Sequence, residues 1–268
     1  MHDPMPRRPS RSKATVAAFV LIALALGGIL GWGVGVFSRP APHAAAPVVP
    51  PIASLVVQNN LPENAAGEIE LRSDLSIFDL RFWRPVPVNL AYSQPVSPVN
   101  YANYLRVVKR KKVDRLFAHY ATSGLRIDIQ CVTHAFAAMR HDVPDLHGGQ
   151  AEKEYAVAVD ISKEPVGKVF LVLIEATYWN GFRSAEHGDV STYTDTTPPV
   201  PDDLSVLVLF PETKPLGQLE LDTSPSDNAA WTRYASQDEA YRDPHGLFAY
   251  WSIRRRQLAE HYRISWTW

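Results

Sequence analysis

The sequence predicts a mainly β protein: an antiparallel β-sandwich, with at most one helix, that follows a single transmembrane helix. Two observations carry this prediction. A run of 24 residues near the N-terminus has no charged side chain. Beyond it, short stretches of alternating apolar and polar residues are separated by Gly, Pro and Asn-Gly turns. Regularly spaced strands of this kind are typical of two packed antiparallel sheets.

The uncharged run, residues 14–37, is the predicted membrane anchor. As a helix it spans about 36 Å, enough to cross a hydrocarbon core of about 30 Å. Basic residues are concentrated before it, and only Arg39 follows it closely. The positive-inside rule therefore predicts a single-pass protein with a cytoplasmic tail, 1–13, and a periplasmic or extracellular C-terminal domain. The segment would contact membrane lipid directly.

A cleaved signal peptide is the alternative interpretation, because Ala44–Ala46 offers a cleavage site. The apolar run is longer than the usual signal-peptide core of about 7–15 residues, which favours an uncleaved anchor. Pro47, after the scissile bond, favours it too. Three glycines share one face of the anchor helix and would permit close pairing with a second copy or a partner helix. They are Gly27, Gly31 and Gly35.

Residues 38–53 are rich in Pro and Ala and predict a semi-rigid linker. The remaining 54–268 are expected to form the extracytoplasmic β-sandwich domain, and 54–124 could be either part of it or an irregular subdomain. The single cysteine, Cys131, excludes an intrachain disulfide. It falls within a strand pattern, which is typical of a small core residue.

The expected strands follow one another along the domain. They are 74–83, 125–131, 155–161, 168–179, 204–210, 218–221, 247–253 and 262–268. The stretch 168–179 is apolar on both faces near its centre. Residues 160–168 resemble a hairpin tip that joins neighbouring strands. Prolines in 85–100 predict an irregular crossing, and 222–246 is expected to be a long loop.

The segment Tyr101–Tyr120 is ambiguous. Its apolar residues fit one face of a helix, the favoured interpretation, but the segment can also be divided into two strands. The division would fall at Lys109, Arg110, Lys111 and Lys112. If exposed, this basic patch could bind anionic headgroups or envelope polymers.

The densest group of possible metal ligands comprises His134, His141, Asp142, Asp145 and His147, and the candidate metal site uses His134, His141, Asp142 and His147. Zinc or manganese accepts such donors, but no helical spacing brings them together, so a solvated loop is the simpler interpretation. Glu186–Asp189 is a second polar loop that could add acid–base chemistry if it met the first. Aromatic residues near an Asn-Gly turn could stack on a sugar or anchor a partner if exposed, although burial is favoured. They are Tyr178, Trp179 and Phe182; Trp266 and Trp268 raise the same question.

Several function classes are disfavoured. The formal net charge is −1, so no global field attracts nucleic acid. The usual nucleotide-binding, serine-hydrolase and zinc-protease motifs are absent, and no cofactor is expected. The leading hypothesis is a non-enzymatic module that binds an envelope protein or glycan. The alternatives are a metal-dependent hydrolase that uses the His/Asp group and a sensor subunit that signals through pairing of the anchor helix.

Overall fold

The computed structural model describes residues 56–57, 60–143, 152–182, 187–193, 203–225, 230–234, 240–253 and 261–268. They belong to one compact unit, Ile52–Trp268. These residues form fifteen strands and one short 3-10 helix, Val88–Leu90, so the prediction of a mainly β protein is confirmed. No helix in the described part is long and apolar enough to span a bilayer. The predicted tail, anchor and linker, including Gly27, Gly31 and Gly35, lie outside the described residues.

The largest sheet has seven strands. In spatial order they are Ala240–Arg242 (β13), Phe248–Ile253 (β14), Asp203–Leu209 (β10), Ile69–Asp79 (β2), Pro98–Lys109 (β3), Val169–Trp179 (β8) and Arg126–Cys131 (β5). All pairs are antiparallel except β2 with β10. The edge strand β5 is only six residues long, whereas its neighbour β8 has eleven. Part of β8 therefore extends past the strand beside it.

Two four-stranded sheets complete the unit. One contains Val56–Val57 (β1), Phe136–Val143 (β6), Glu152–Asp160 (β7) and Arg115–Thr122 (β4). The other contains Thr232–Arg233 (β12), Leu219–Ser224 (β11), His261–Thr267 (β15) and His187–Tyr193 (β9). Buried side chains from all three sheets form one apolar cluster, as Val157, Val172 and Tyr262 illustrate. Removing this apolar surface from water is the main stabilising contribution to the fold.

The predicted helix at Tyr101–Tyr120 is wrong, because the segment forms β3 and β4 around a turn. In β3, buried residues recur with period two, as in a strand between two neighbours. Asn103 occupies one of the buried positions and interrupts the apolar alternation in the sequence. Pairing of β3 with β2 and β8 overrides the local pattern.

Two connections also differ from expectation. The stretch 160–168 is not a hairpin tip between paired strands, because β7 and β8 belong to different sheets. The stretch 222–246 is not wholly a loop, since it includes β12 and β13. Short-range turn signals do not specify which sheet the next strand joins, so the first error could not be corrected from sequence alone.

Asn180 links the proline-rich segment 85–100 to the end of β8 through side-chain hydrogen bonds. It is fully buried and has a positive φ of 58°, a conformation that Asn tolerates better than most residues. Its side-chain oxygen accepts from the amides of Val96 and Ser97, at 3.0 and 2.9 Å. Its side-chain nitrogen donates to the carbonyls of Ala91 and Gln94, at 3.0 and 2.7 Å. The hydrogen-bonding capacity of the amide is therefore fully used.

Candidate functional site

The structure separates the predicted metal ligands. His134 precedes β6, and its Nε2 lies 3.2 Å from Glu164 Oε1. His141 lies near the far end of β6, and its Nδ1 is 3.4 Å from Glu154 Oε2. Seven residues of extended chain place the two histidines roughly 20 Å apart. Asp142 is bonded to Arg140, and His147 lies outside the described residues. The described part contains no group of three potential metal ligands.

The second polar loop, Glu186–Asp189, does not lie in the same sheet as the predicted metal ligands. Glu186 lies outside the described residues, and 187–189 begin β9, in a different sheet from β6. Gly188 packs directly beneath the indole of Trp266, where an added Cβ would lie 2.6 Å from the ring. Its role in the structure is close packing.

The basic patch is smaller in three dimensions than in sequence. Lys109 is only 2% exposed, and its Nζ donates to the Ile161 carbonyl at 2.9 Å. Arg110 is ion-paired with Glu70. Of these four basic residues, only Lys111 and Lys112 are exposed without an ion pair to a described residue.

The three aromatic residues near the turn do not form an exposed platform. Tyr178 is 8% exposed, and its ring lies 6.0 Å from that of Phe78. Trp179 is half-buried, and its Nε1 donates to Asp128 at 2.7 Å. Phe182 packs 5.8 Å from the buried Trp266. They contribute mainly to packing.

The C-terminal tryptophans, Trp266 and Trp268, also pack against other side chains of the domain. Trp268 stacks on Trp83 with ring centroids 4.6 Å apart. The Lys214 ammonium lies 5.2 Å from the Trp83 ring and 5.4 Å from the Trp268 ring, a cation–π geometry. Trp266 is 2% exposed and contacts Trp268 edge-on. The last strand is therefore part of the core.

A polar network lies inside the large sheet's buried face. The Asp74 carboxylate accepts from Asn103 Nδ2 at 2.5 Å, and Asn103 Oδ1 accepts from the Tyr120 hydroxyl at 3.0 Å. Ser76 and Tyr101 share a 2.9 Å hydrogen bond beside it. Asp74 is half-buried as a residue, but its carboxyl points into the core, and burial raises its pKa to about 6. Because Ser76, Tyr101, Asn103 and Tyr120 are all buried, changes to this network should alter the stability of the fold.

The outer face of β8 carries exposed apolar side chains. Val172 and Ile174, on the inner face, are fully buried. On the outer face Val169 is 53% exposed and Leu171 46%, and Val132, just after β5, is 53% exposed. We call Val132, Val169 and Leu171 the β8 edge patch. Grouped exposed apolar residues of this kind often mark interaction sites.

The patch lies along a strand edge that lacks a neighbour. Pairing of β5 with β8 ends at Cys131 and Ile174. One step further, the Val132 amide donates to the Leu173 carbonyl at 2.9 Å, and the Leu173 amide donates to Thr133 Oγ1 at 3.1 Å. Because backbone direction alternates along a strand, Leu171 also turns its N–H and C=O to this side. No strand of the described part covers that edge.

Charged side chains border the patch. Arg106 on β3 is exposed and directly opposite Leu171 in the register, and Lys168 is exposed just before Val169. Neither forms an ion pair with a described residue. Two acids lie nearby: Glu175 accepts a hydrogen bond from the neutral amide of Gln130, and Glu164 Oε1 lies 3.2 Å from His134 Nε2. The border therefore carries charges of both signs.

Comparison with known proteins gives little information about the function of this chain. No protein-family model and no curated protein matches this chain. Among solved structures, one described as a "putative protease" from Parabacteroides distasonis covers 76% of this chain at 14% identity and a TM-score of 0.43. The chain spans 41% of that protein's length. This similarity is too weak to indicate a shared activity.

The sequence carries a signal for the β8 edge patch but does not identify it as a site. The stretch 168–179 was expected to be apolar on both faces, and a strand of that kind is usually buried on both. What the sequence could not show is that β5 stops early and leaves the edge of β8 unpaired at residues 169–171. The buried Asp74 gave no signal, because acidic residues are normally exposed.

Proposed function

We propose that this chain is a non-enzymatic binding module that holds a protein of the cell envelope at the β8 edge patch. The observation that carries the proposal is the exposed apolar row on an open strand edge. Water-exposed valine and leucine on such an edge are a liability for a monomer, because they invite pairing with other chains. A dedicated partner would explain why they are present.

The size of the patch suggests a modest affinity. Burying a whole Val or Leu side chain contributes about 1.5–3 kcal/mol, so covering the exposed halves of three contributes roughly 3 kcal/mol. A millimolar Kd corresponds to about 4.1 kcal/mol. Apolar contacts alone would therefore bind weakly, and main-chain hydrogen bonds or co-localisation must add to them. A shared membrane raises the effective concentration of a partner.

The proposal includes the predicted topology and architecture. The domain would be a β-sandwich, held outside the membrane by residues 14–37 and the linker 38–53. The single buried cluster drawn from three sheets supports a sandwich. The charge asymmetry around residues 14–37 supports the orientation. A hydrolase that uses His134 and His141 gains no support, because each imidazole pairs with a different glutamate.

Site-specific cross-linking tests the proposal. A photoreactive phenylalanine analogue would replace Leu171 in the full-length chain, expressed in its source cells. The control would carry it at Leu247, which is 38% exposed beside β14, towards the opposite edge of the large sheet. We expect an adduct of defined mass from position 171 and none from 247. Equal labelling from both positions, or none from 171, would reject the proposed function.

A further inference from the structure

We propose that residues 52–55 continue β1 as a strand along the open edge of β6, so that the domain binds the end of its own linker. Two of these residues, Ile52 and Ala53, belong to the predicted linker. Three features of the four-stranded sheet β1–β6–β7–β4 support this: the register of β1, the backbone of β6 and a groove beside that edge. None of them depends on the β8 edge patch.

The register of β1 fixes the position of the chain before it. β1 pairs in parallel with Met139 and Arg140, whereas β6 begins earlier, at Phe136. Continued backwards, the same register places residues 53–55 beside Phe136–Ala138. A strand here needs no reversal of the chain, since the residues before β1 already lead along β6.

The start of the compact unit agrees with this extent. The unit begins at Ile52, shortly before β1. Pro50 and Pro51 precede it, and proline lacks the N–H that pairing within a sheet uses. Residues 52–55 have no charged side chain, so pairing them with β6 would bury no charge.

The backbone of β6 has groups directed at this segment. The Asp160 amide donates to the Ala135 carbonyl at 2.8 Å, so Ala135 bonds towards β7. Because backbone direction alternates along a strand, Phe136 and Ala138 turn their N–H and C=O groups to the opposite side, where β1 lies. No strand of the described part pairs with them on that side. In the continued register, Ser54 donates to the Phe136 carbonyl and accepts from the Ala138 amide.

A groove beside the edge gives room for the side chains. It has a volume of about 430 Å³, and its lining includes Ala135, Ala137 and Ala158. Alanine side chains are short, so they leave space that an added strand can use. Side chains alternate along a strand, and the register places those of Ile52 and Ser54 on the same face as Ala137. An isoleucine beside these alanines would remove apolar surface from water.

Disulfide cross-linking in the purified full-length chain, in detergent, tests the register. All variants carry Cys131→Ser, so that only the introduced pair can react. Ser54→Cys with Ala137→Cys would place two thiols side by side, within the Cα separation of about 4.4–6.8 Å that a disulfide spans. The control is Ala53→Cys with Ala137→Cys, whose side chains would lie on opposite faces.

Air oxidation should close an internal disulfide in the first pair, seen as faster migration in a non-reducing gel, and none in the control. Closure of neither pair, or equal closure of both, would overturn the inference. A disulfide that joins two copies of the chain would overturn it as well, because the edge of β6 would then hold a second copy.

Two proline variants test the hydrogen bonds. Ser54→Pro removes the N–H that would bond to Phe136, whereas Ala53→Pro removes one that would face away from β6. In hydrogen exchange followed by mass spectrometry, the amide of Ala138 should exchange about tenfold faster in Ser54→Pro than in Ala53→Pro, because its partner strand is lost. The circular dichroism spectra of the two variants should match. Equal exchange in both variants would show that residues 52–55 do not pair with β6.

Discussion

Asp74 makes the stability of the domain depend on pH in a direction that is unusual for a carboxylate. Its side chain lies in the core beside Asn103 and Ser76, and no described cation is bonded to it. Burial raises its pKa from 3.8 to about 6, against the opposing effect of the two hydrogen bonds. A carboxyl whose pKa is raised in the folded state stabilises the fold below its unfolded pKa, and this stabilisation is lost as pH rises through the folded pKa.

The magnitude follows from the difference between the two pKa values. A difference of about two pKa units corresponds to about 3 kcal/mol. The substitution Asp74→Asn keeps an oxygen that can accept from Asn103 and removes the titration. The free energy of unfolding of Asp74→Asn, relative to the wild type, should therefore rise by about 2.4 kcal/mol between pH 4 and pH 7.5, because the unfolded carboxyl is already partly ionised at pH 4.

Urea unfolding of the full-length chain in detergent, followed by tryptophan fluorescence, measures this difference. Trp251 and Trp266 are buried and should report the loss of the core. The exposed carboxylate of Asp203, at the start of β10, provides the control Asp203→Asn, whose curve should follow the wild type at each pH. A constant difference between Asp74→Asn and wild type across the pH range would refute the argument.

Two further predictions concern packing. Asn180→Ala should lower the free energy of unfolding by about 3 kcal/mol or more, because it leaves buried backbone groups without partners; a loss below 1 kcal/mol in urea unfolding would contradict the role given to the side chain. Gly188→Ala should cost about 1–3 kcal/mol, since its Cβ would overlap the Trp266 ring. Gly181→Ala, whose Cβ would have ordinary contacts from 3.6 Å, is the matched control and should be nearly neutral in thermal unfolding.

The sequence was informative wherever local pattern and tertiary environment agree. Alternation at 125–131 and 155–161 corresponds to β5 and β7, whose apolar positions face the core. The apolar pattern gave a wrong prediction at Tyr101–Tyr120, where a polar residue is buried. Asn103 in β3 accepts from Tyr120 and donates to Asp74, partners that are distant in sequence. Without them, an asparagine within an apolar stretch indicates an exposed position, and a helix explains the remaining residues better.

The candidate site could be predicted only in part. That β8 is apolar on both faces can be read from residues 168–179, but its exposure depends on where the neighbouring strand ends. Lys109 illustrates the same limit, since its place in a basic run predicts exposure although it is buried against the Ile161 carbonyl. Both outcomes are set by contacts between segments far apart in the chain.

The measurement that tests the account most directly is cross-linking from position 171 in intact cells, compared with position 247. If the open edge of β8 is a binding surface, position 171 yields one adduct of defined mass. An edge that serves no partner would give no adduct at 171, or the same background at both positions.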